Sequence, residues 1–165
     1  MAKSDNQLHA LLDKLDFLPE GMKTKAASFA FGKVVPFIST AGCDFEKITN
    51  EEVIVSIENK RKARNHIGQI HAAAMALIAE TASGFVLAMN MPDDKLNLIK
   101  SMKVSYLKRT KGKMTAVARI TPEQVAKLQS EEKGDVMIEV HVTDESGQEP
   151  IACEMNWAWV PKKRK

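Results

Sequence analysis

Disulfides do not hold this chain together. Two cysteines, Cys43 and Cys153, in 165 residues cannot form a stapled framework, and a chain of this length can bury a sizeable core without one. Reduced, packed thiols in a cytoplasmic protein are the expectation. The apolar core of a secretion signal is also missing, because MAKSDNQLHALLDKLDF is broken throughout by charged and polar residues. The stretch from Ile70 to Met91 approaches membrane-span length, but His71, Glu80, Thr81, Ser83 and Asn90 interrupt it, so no membrane segment is expected. Charge of one sign is scarce too. The net charge is +3, much of it in the closing Pro161-Lys162-Lys163-Arg164-Lys165, which leaves the body near neutral and argues against a broad nucleic-acid face. No His/Cys/Asp/Glu grouping has ligand spacing, so no metal site is expected. Internal repeats are absent.

What remains is a single domain of ordinary composition, 44% apolar and 27% charged. Ser4 and Gln7 are spaced for a capping box ahead of Leu8, Leu11, Leu12 and Leu15, and Pro19-Glu20-Gly21 is expected to stop that helix. A second helix is read over Met22 to Val35, ended by Pro36. From there the period changes to two. Cys43–Ile48 and Val53–Asn59 read as strands joined by a polar turn, and Met102, Val104 and Tyr106 share one face of a third. A Lys111-Gly112 turn leads to Met114, Ala116, Ala118 and Ile120, and Thr121-Pro122-Glu123 opens a polar connection. Val136 to Val142 and Ile151 to Trp159 complete a run of four alternating segments, read as a meander with one dry face.

Between the second and third strands lies Ala63 to Leu87, ARNHIGQIHAAAMALIAETASGFVL, read as one long helix apolar on nearly every side. Such a helix is buried, and the remaining strands supply the sheet to bury it. In its middle stands one carboxylate, Glu80, a costly group unless partnered or working. A curved antiparallel sheet of five or six strands around a central helix is the α+β layering that buries both elements, and this element order is that of the hotdog fold. The expected divisions are a helical extension over 1–40, the hotdog domain over 41–160 and a basic tail over 161–165.

Asn65, His71-Ala72-Ala73, Ala79-Glu80 and Ser83-Gly84 resemble the helix-start motif of hotdog acyl-CoA thioesterases of the phenylacetate-pathway and 4-hydroxybenzoyl-CoA types, closest to a poorly characterised branch. In that pattern an Asn or Gln is followed after six or seven residues by His-Gly-Gly, and nine residues beyond the His stands a catalytic Asp or Glu. Here Asn65 to His71 is six and His71 to Glu80 is nine. There are two departures: Ala72 and Ala73 replace the paired glycines, and Ile99 stands where a water-holding Ser or Thr is common. The resemblance covers about Cys43 to Val160. It implies a dimer with its sites across the subunit boundary and coenzyme A as part of the substrate, with no separate cofactor.

The chemistry can be argued from the residues. A thioester needs a donor for its carbonyl oxygen and a carboxylate to attack or to activate water. Backbone N–H groups in the first turn of a helix, expected to begin near Gly68, suit the oxygen. Ala72 and Glu80 are eight residues apart, about 12 Å along a helix axis. One carbonyl cannot span that, so the donor of one chain must meet the acid of another in a symmetric dimer. Packing of two dimers into a tetramer stays open. Glu80 is assigned as nucleophile or base and Ala72 as carbonyl donor. Asn65 is assigned to orient carbonyl or water, and Ala73 and Gly68 to bind the substrate.

Plainer alternatives stand beside these. Glu80 pairs across a dimer interface, and His71, grouped with the catalytic residues, fixes the helix entrance by hydrogen bonding rather than acting as an acid or base. The methionines fill core or line an acyl tunnel, while Trp157 and Trp159 pack in the core. Lys108, Arg109 and Lys111 form a solvated turn or meet CoA phosphates, as do Lys60 to Arg64. The basic tail resembles a nuclear-import patch or is a solubilising end. A non-catalytic acyl-CoA or lipid-binding protein keeps the fold, with the two departures in its favour. A hotdog hydratase or dehydratase is disfavoured because its Gly-Pro-rich or Asn-Pro-x-His segments are missing.

Overall fold

The computed structural model describes residues 6–163. Ser4, expected to cap the first helix, lies outside them, as do Arg164 and Lys165. Asn6 does the capping: its Oδ1 accepts the His9 N–H at 3.0 Å at the start of α1 (Gln7–Asp13). Pro19-Glu20-Gly21 does not stop this helix but opens the next one, α2 (Glu20–Val34). Pro36 likewise begins α3 (Pro36–Ala41), at the first position, where a missing N–H costs nothing. Gly42, at φ +84°, ends α3 in the left-handed conformation that glycine adopts freely. The chain then enters β1 (Cys43–Ile48) and β2 (Glu52–Ile57).

The long helix α4 spans Ala72–Met89, so Ala63 to His71 is not helical as expected. A 3₁₀ turn at Arg61–Ala63 and a bridge between Arg64 and Ile70 hold that stretch as a loop. Asn65 Oδ1 accepts the N–H groups of Ile67 and Gln69, each at 3.1 Å, and Gly68 turns at φ +75°. A local side-chain bond of this kind competes with helix formation.

Six antiparallel strands curl around α4 in the order β1-β2-β4-β5-β6-β3, where β3 is Lys95–Tyr106, β4 Met114–Arg119, β5 Gly134–Asp144 and β6 Ile151–Pro161. The expected four-strand meander is therefore broken. β4 pairs with β2 and β5, whereas β3 pairs with β6 at the far edge. Strands that bury one face completely hold the middle. Val53, Val55 and Ile57 of β2 and Met114, Ala116 and Ala118 of β4 are all shielded from solvent. The two alanines let the small-residue face of α4, including Ala79 and Ala82, approach closely. β3 has no such dry face: Met102 is 53% exposed and Tyr106 52%, and a bulge between Ile99 and Ser101 interrupts the register. The connection from Thr121 holds a fifth helix, α5 (Pro122–Ser130), closed by a Thr121–Gln124 capping box.

The N-terminal helices join this body through an aromatic trio. Phe31 of α2, Phe45 of β1 and Phe85 of α4 lie with ring centroids 4.7–5.2 Å apart. Trp157 Nε1 donates to the buried Ser83 Oγ at 3.0 Å, and its ring packs closely against Gly84. A β-carbon at Gly84 would stand 2.6 Å from the indole, which is closely packed. Gly84→Ala is therefore expected to lower stability by about 1–3 kcal/mol despite its better helix propensity, because overpacking outweighs that gain. A denaturant titration checks this.

Candidate active site

α4 has the length and apolar character of a membrane-crossing helix, with mean hydropathy 1.7, yet the sheet packs along it from β2 to β6. Within it Glu80 is half-buried and has no ion-pair partner among the described residues. Burial pushes its carboxyl above the usual carboxylate range, with the Thr81 hydroxyl offsetting part of that effect. The Thr81 oxygen is itself buried and makes no hydrogen bond of normal geometry. Both residues line a cavity of about 270 Å³, together with Gly84, Phe85, Asn97 and Trp157. An unpaired acid facing a cavity is poised for proton transfer.

The helix entrance is a separate place. His71 caps α4 with extended backbone, and its Nδ1 accepts the Ala73 N–H at 3.0 Å. This fixes the other ring nitrogen as the site of any proton on a neutral imidazole. The Ala73 donor is thereby engaged, while the Ala72 N–H has no acceptor among the described residues. His71, Ala72 and Ala73 are all exposed. A cavity of about 180 Å³ opens here between Lys62, His71, Ala73 and Leu77. Glu80 lines a different cavity, so one subunit does not bring the free donor and the acid together.

Of the other expected site residues, Asn65 has its oxygen committed to the turn before the helix. Gly68 is exposed in that same turn, four residues before α4 rather than at its start. Lys108, Arg109 and Lys111 are exposed beyond the end of β3, not in a β3–β4 hairpin. That end is tied to the helix entrance, because the Tyr106 hydroxyl donates to the Ala72 carbonyl at 3.0 Å. The basic loop and the free Ala72 N–H thus share one end of the molecule. Sequence reasoning missed Tyr106 in this role. Its position at the edge of a strand carries no signal of a contact with a residue 34 positions away.

A family model described as a domain of unknown function (DUF4442) matches residues 23–160. The chain belongs to that family. No curated protein matches it. Among solved structures, this DUF4442 chain resembles a protein of unknown function from Pseudomonas aeruginosa described as a probable thioesterase, at 22% identity, TM-score 0.75, with 88% of this chain and 97% of that one covered. It also resembles a thioesterase from Haemophilus influenzae, at 11% identity, TM-score 0.63 and coverage of 76% and 82%. A variant of a thioesterase from Staphylococcus aureus gives 20%, 0.63, and 76% and 98%. At these identities the likeness speaks to the fold, which is the hotdog fold.

The two cysteines of this DUF4442 chain are poorly suited to act as nucleophiles. Burial raises the Cys43 thiol to about 12 and the Cys153 thiol to about 11, so neither forms a thiolate near neutral pH. Among the described residues no group of His, Cys, Asp and Glu is arranged to hold a metal ion.

The basic loop is held by one buried acid. Asp144 accepts from the Lys111 N–H at 2.9 Å and from the N–H and hydroxyl of Ser146 at 2.9 and 2.6 Å. Burial works against its charge, but the Ser146 hydroxyl and these N–H groups outweigh it and hold the carboxyl below the usual range. A depressed folded value means stability that is present above the unfolded carboxylate value and lost as pH falls through the folded one. Asp144→Asn should therefore be less stable than the parent at pH 7, with the gap closing in acid. Thermal melts at pH 7 and pH 3 check the sign.

Proposed function

We propose that this protein hydrolyses acyl-CoA thioesters at two equivalent sites of a cytoplasmic homodimer. Each site takes its acid from one chain and its carbonyl donor from the other. Glu80 removes a proton from water, whose oxygen then attacks the thioester carbon. Alternatively the carboxylate attacks directly, and water hydrolyses the resulting anhydride. Either way the C–S bond breaks, the CoA thiolate leaves and takes up a proton, and a free carboxylic acid results. The Ala72 N–H, at the positive end of α4, stabilises the oxyanion. Asn65 holds carbonyl or water through its amide nitrogen, and His71 positions the helix start. Lys108, Arg109 and Lys111 meet the CoA phosphates. No further cofactor, nucleic acid or membrane is required.

The observation that carries this reading is Glu80 itself: an acid on the central helix, raised by burial, without an ion-pair partner among the described residues and open to a cavity. Support for the dimer comes from β3, twelve residues long and lying at the edge of the sheet with Leu96, Leu98, Met102 and Tyr106 exposed. Natural proteins seldom leave so long and apolar an edge uncovered, and a second copy pairing along it sets two α4 helices side by side. A tetramer of two such dimers is compatible with the same site.

A second reading is favoured by the Ala73 N–H, which is already taken by His71, and by methyl groups where the resembled family has glycines. With one donor left, the site can hold acyl-CoA without turning it over. The separating experiment is a panel of acyl-CoAs incubated with the pure protein, with free thiol measured over time. Steady release supports hydrolysis. Saturable binding with no release leaves the binding protein.

A further inference from the structure

The cavity at Glu80 continues away from the helix entrance. Its walls are Leu8 of α1, Val35 and Ile38 at the α2–α3 joint, Phe85 and Ala88 of α4, and Trp157 of β6. A wider groove of about 640 Å³ adjoins it, and Leu8, Phe85, Ala88 and Asn97 line both spaces. The groove passes between α1 and α2 towards Met91 and Leu96. Three of the ten residues lining the Glu80 cavity, and eight of the seventeen lining the groove, therefore come from the segment that precedes the sheet.

We infer that these two spaces form the acyl-chain subsite and select linear aliphatic acyl groups of medium length, with α1 as the outer wall. This rests on the hydrolase reading above. The polar side chains of the Glu80 cavity are few: the buried Thr81 hydroxyl beside the acid, and Asn97. Asn97 Nδ2 donates to the Gly84 carbonyl at 3.3 Å, and Thr81 sits beside Glu80. Lys14, Asp93 and Lys162 line only the wider groove. Beyond Thr81 and Asn97 the walls of the Glu80 cavity offer a polar substituent on the acyl group no partner, which discriminates against it. The length follows from the helix. Glu80 to Ala88 is eight residues, about 12 Å along the axis. An extended chain advances about 1.2 Å per bond, so roughly ten bonds carry the chain from the carboxylate to the junction of the two spaces.

The test uses Ala88→Phe, which places a ring at that junction, and Leu8→Trp, which fills the same place from α1. Turnover of butyryl-, dodecanoyl- and phenylacetyl-CoA is measured, and binding of dodecanoate is read separately by displacement of a fluorescent fatty acid. The parent should favour dodecanoyl- over phenylacetyl-CoA by about tenfold or more in kcat/KM. In both variants the dodecanoyl-to-butyryl ratio should fall by about tenfold, and dodecanoate affinity with it. Ratios and affinities unmoved in both variants would overturn the subsite while leaving hydrolysis intact. A parent that binds dodecanoate, loses that binding in both variants, yet hydrolyses nothing would keep the subsite and remove the hydrolase.

Discussion

Glu80→Gln should abolish thiol release from acyl-CoA and raise the melting temperature of the protein. The first effect, a loss of about a hundred- to ten-thousand-fold, is that of removing a positioned base from the reacting atoms. The second follows from the sign of the Glu80 shift. Burial raises its carboxyl in the folded state, so the folded protein binds this proton more tightly than the unfolded chain. Stability then declines as pH rises from the unfolded value towards the folded one, and the charged form at neutral pH is a burden on the fold. An amide of the same shape relieves it. Gains of this class amount to about 0.5–2 kcal/mol, which corresponds to about 2–4 °C per kcal/mol at this chain length. The difference should narrow as pH approaches the ordinary carboxylate value of 4.5. A variant that is inactive and less stable at pH 7 would mark Glu80 as a structural partner instead.

The second large effect is complementation between two dead variants. Ala72→Pro removes the one free N–H at the helix entrance while keeping the helix. Proline is favoured at this first position, and His71, at φ −65° and ψ 142°, already has the extended backbone that a following proline demands. Alone, Ala72→Pro and Glu80→Gln dimers should each be inactive. Unfolded together and refolded, half the dimers are hybrids. In a hybrid, one of the two sites pairs an intact acid with an intact donor. Activity should return to roughly a quarter of the parent level. Sites built within one chain would give no recovery at all, so this mixture separates the composite arrangement from every single-subunit alternative.

Much of the architecture was legible because alternation and helical spacing are local signals. β1 runs over Cys43–Ile48 as the pattern suggests, and the last strand carries Ile151, Cys153, Met155, Trp157 and Trp159 on one face. What the pattern does not contain is pairing. Nothing in Met102-Lys103-Val104 distinguishes a strand beside β4 from one beside β6, and the exposure of Met102 and Tyr106 becomes visible only once the sheet is assembled. The same limit applies at the helix entrance. Ala63 to Gln69 runs straight into the apolar helix and reads as its first turns, and only the assembled contacts, the Arg64–Ile70 bridge and the Asn65 bonds to Ile67 and Gln69, make it a loop. Glu80 was conspicuous as a lone acid among apolar neighbours. The Leu8, Val35 and Ile38 walls were not, since they come from helices more than forty positions away whose apolar residues look like any other packing face.

Asn6 reaches beyond its own helix. Its side-chain nitrogen donates to the carbonyls of Ala88, Met89 and Met91 at 2.9, 3.2 and 3.0 Å, closing the far end of α4. The side chain that opens the first helix therefore also ties down the end of the element on which Glu80 is carried. One amide thus closes two helices at once, which makes the N-terminal helices part of the body that carries the acid and not an appendage to it.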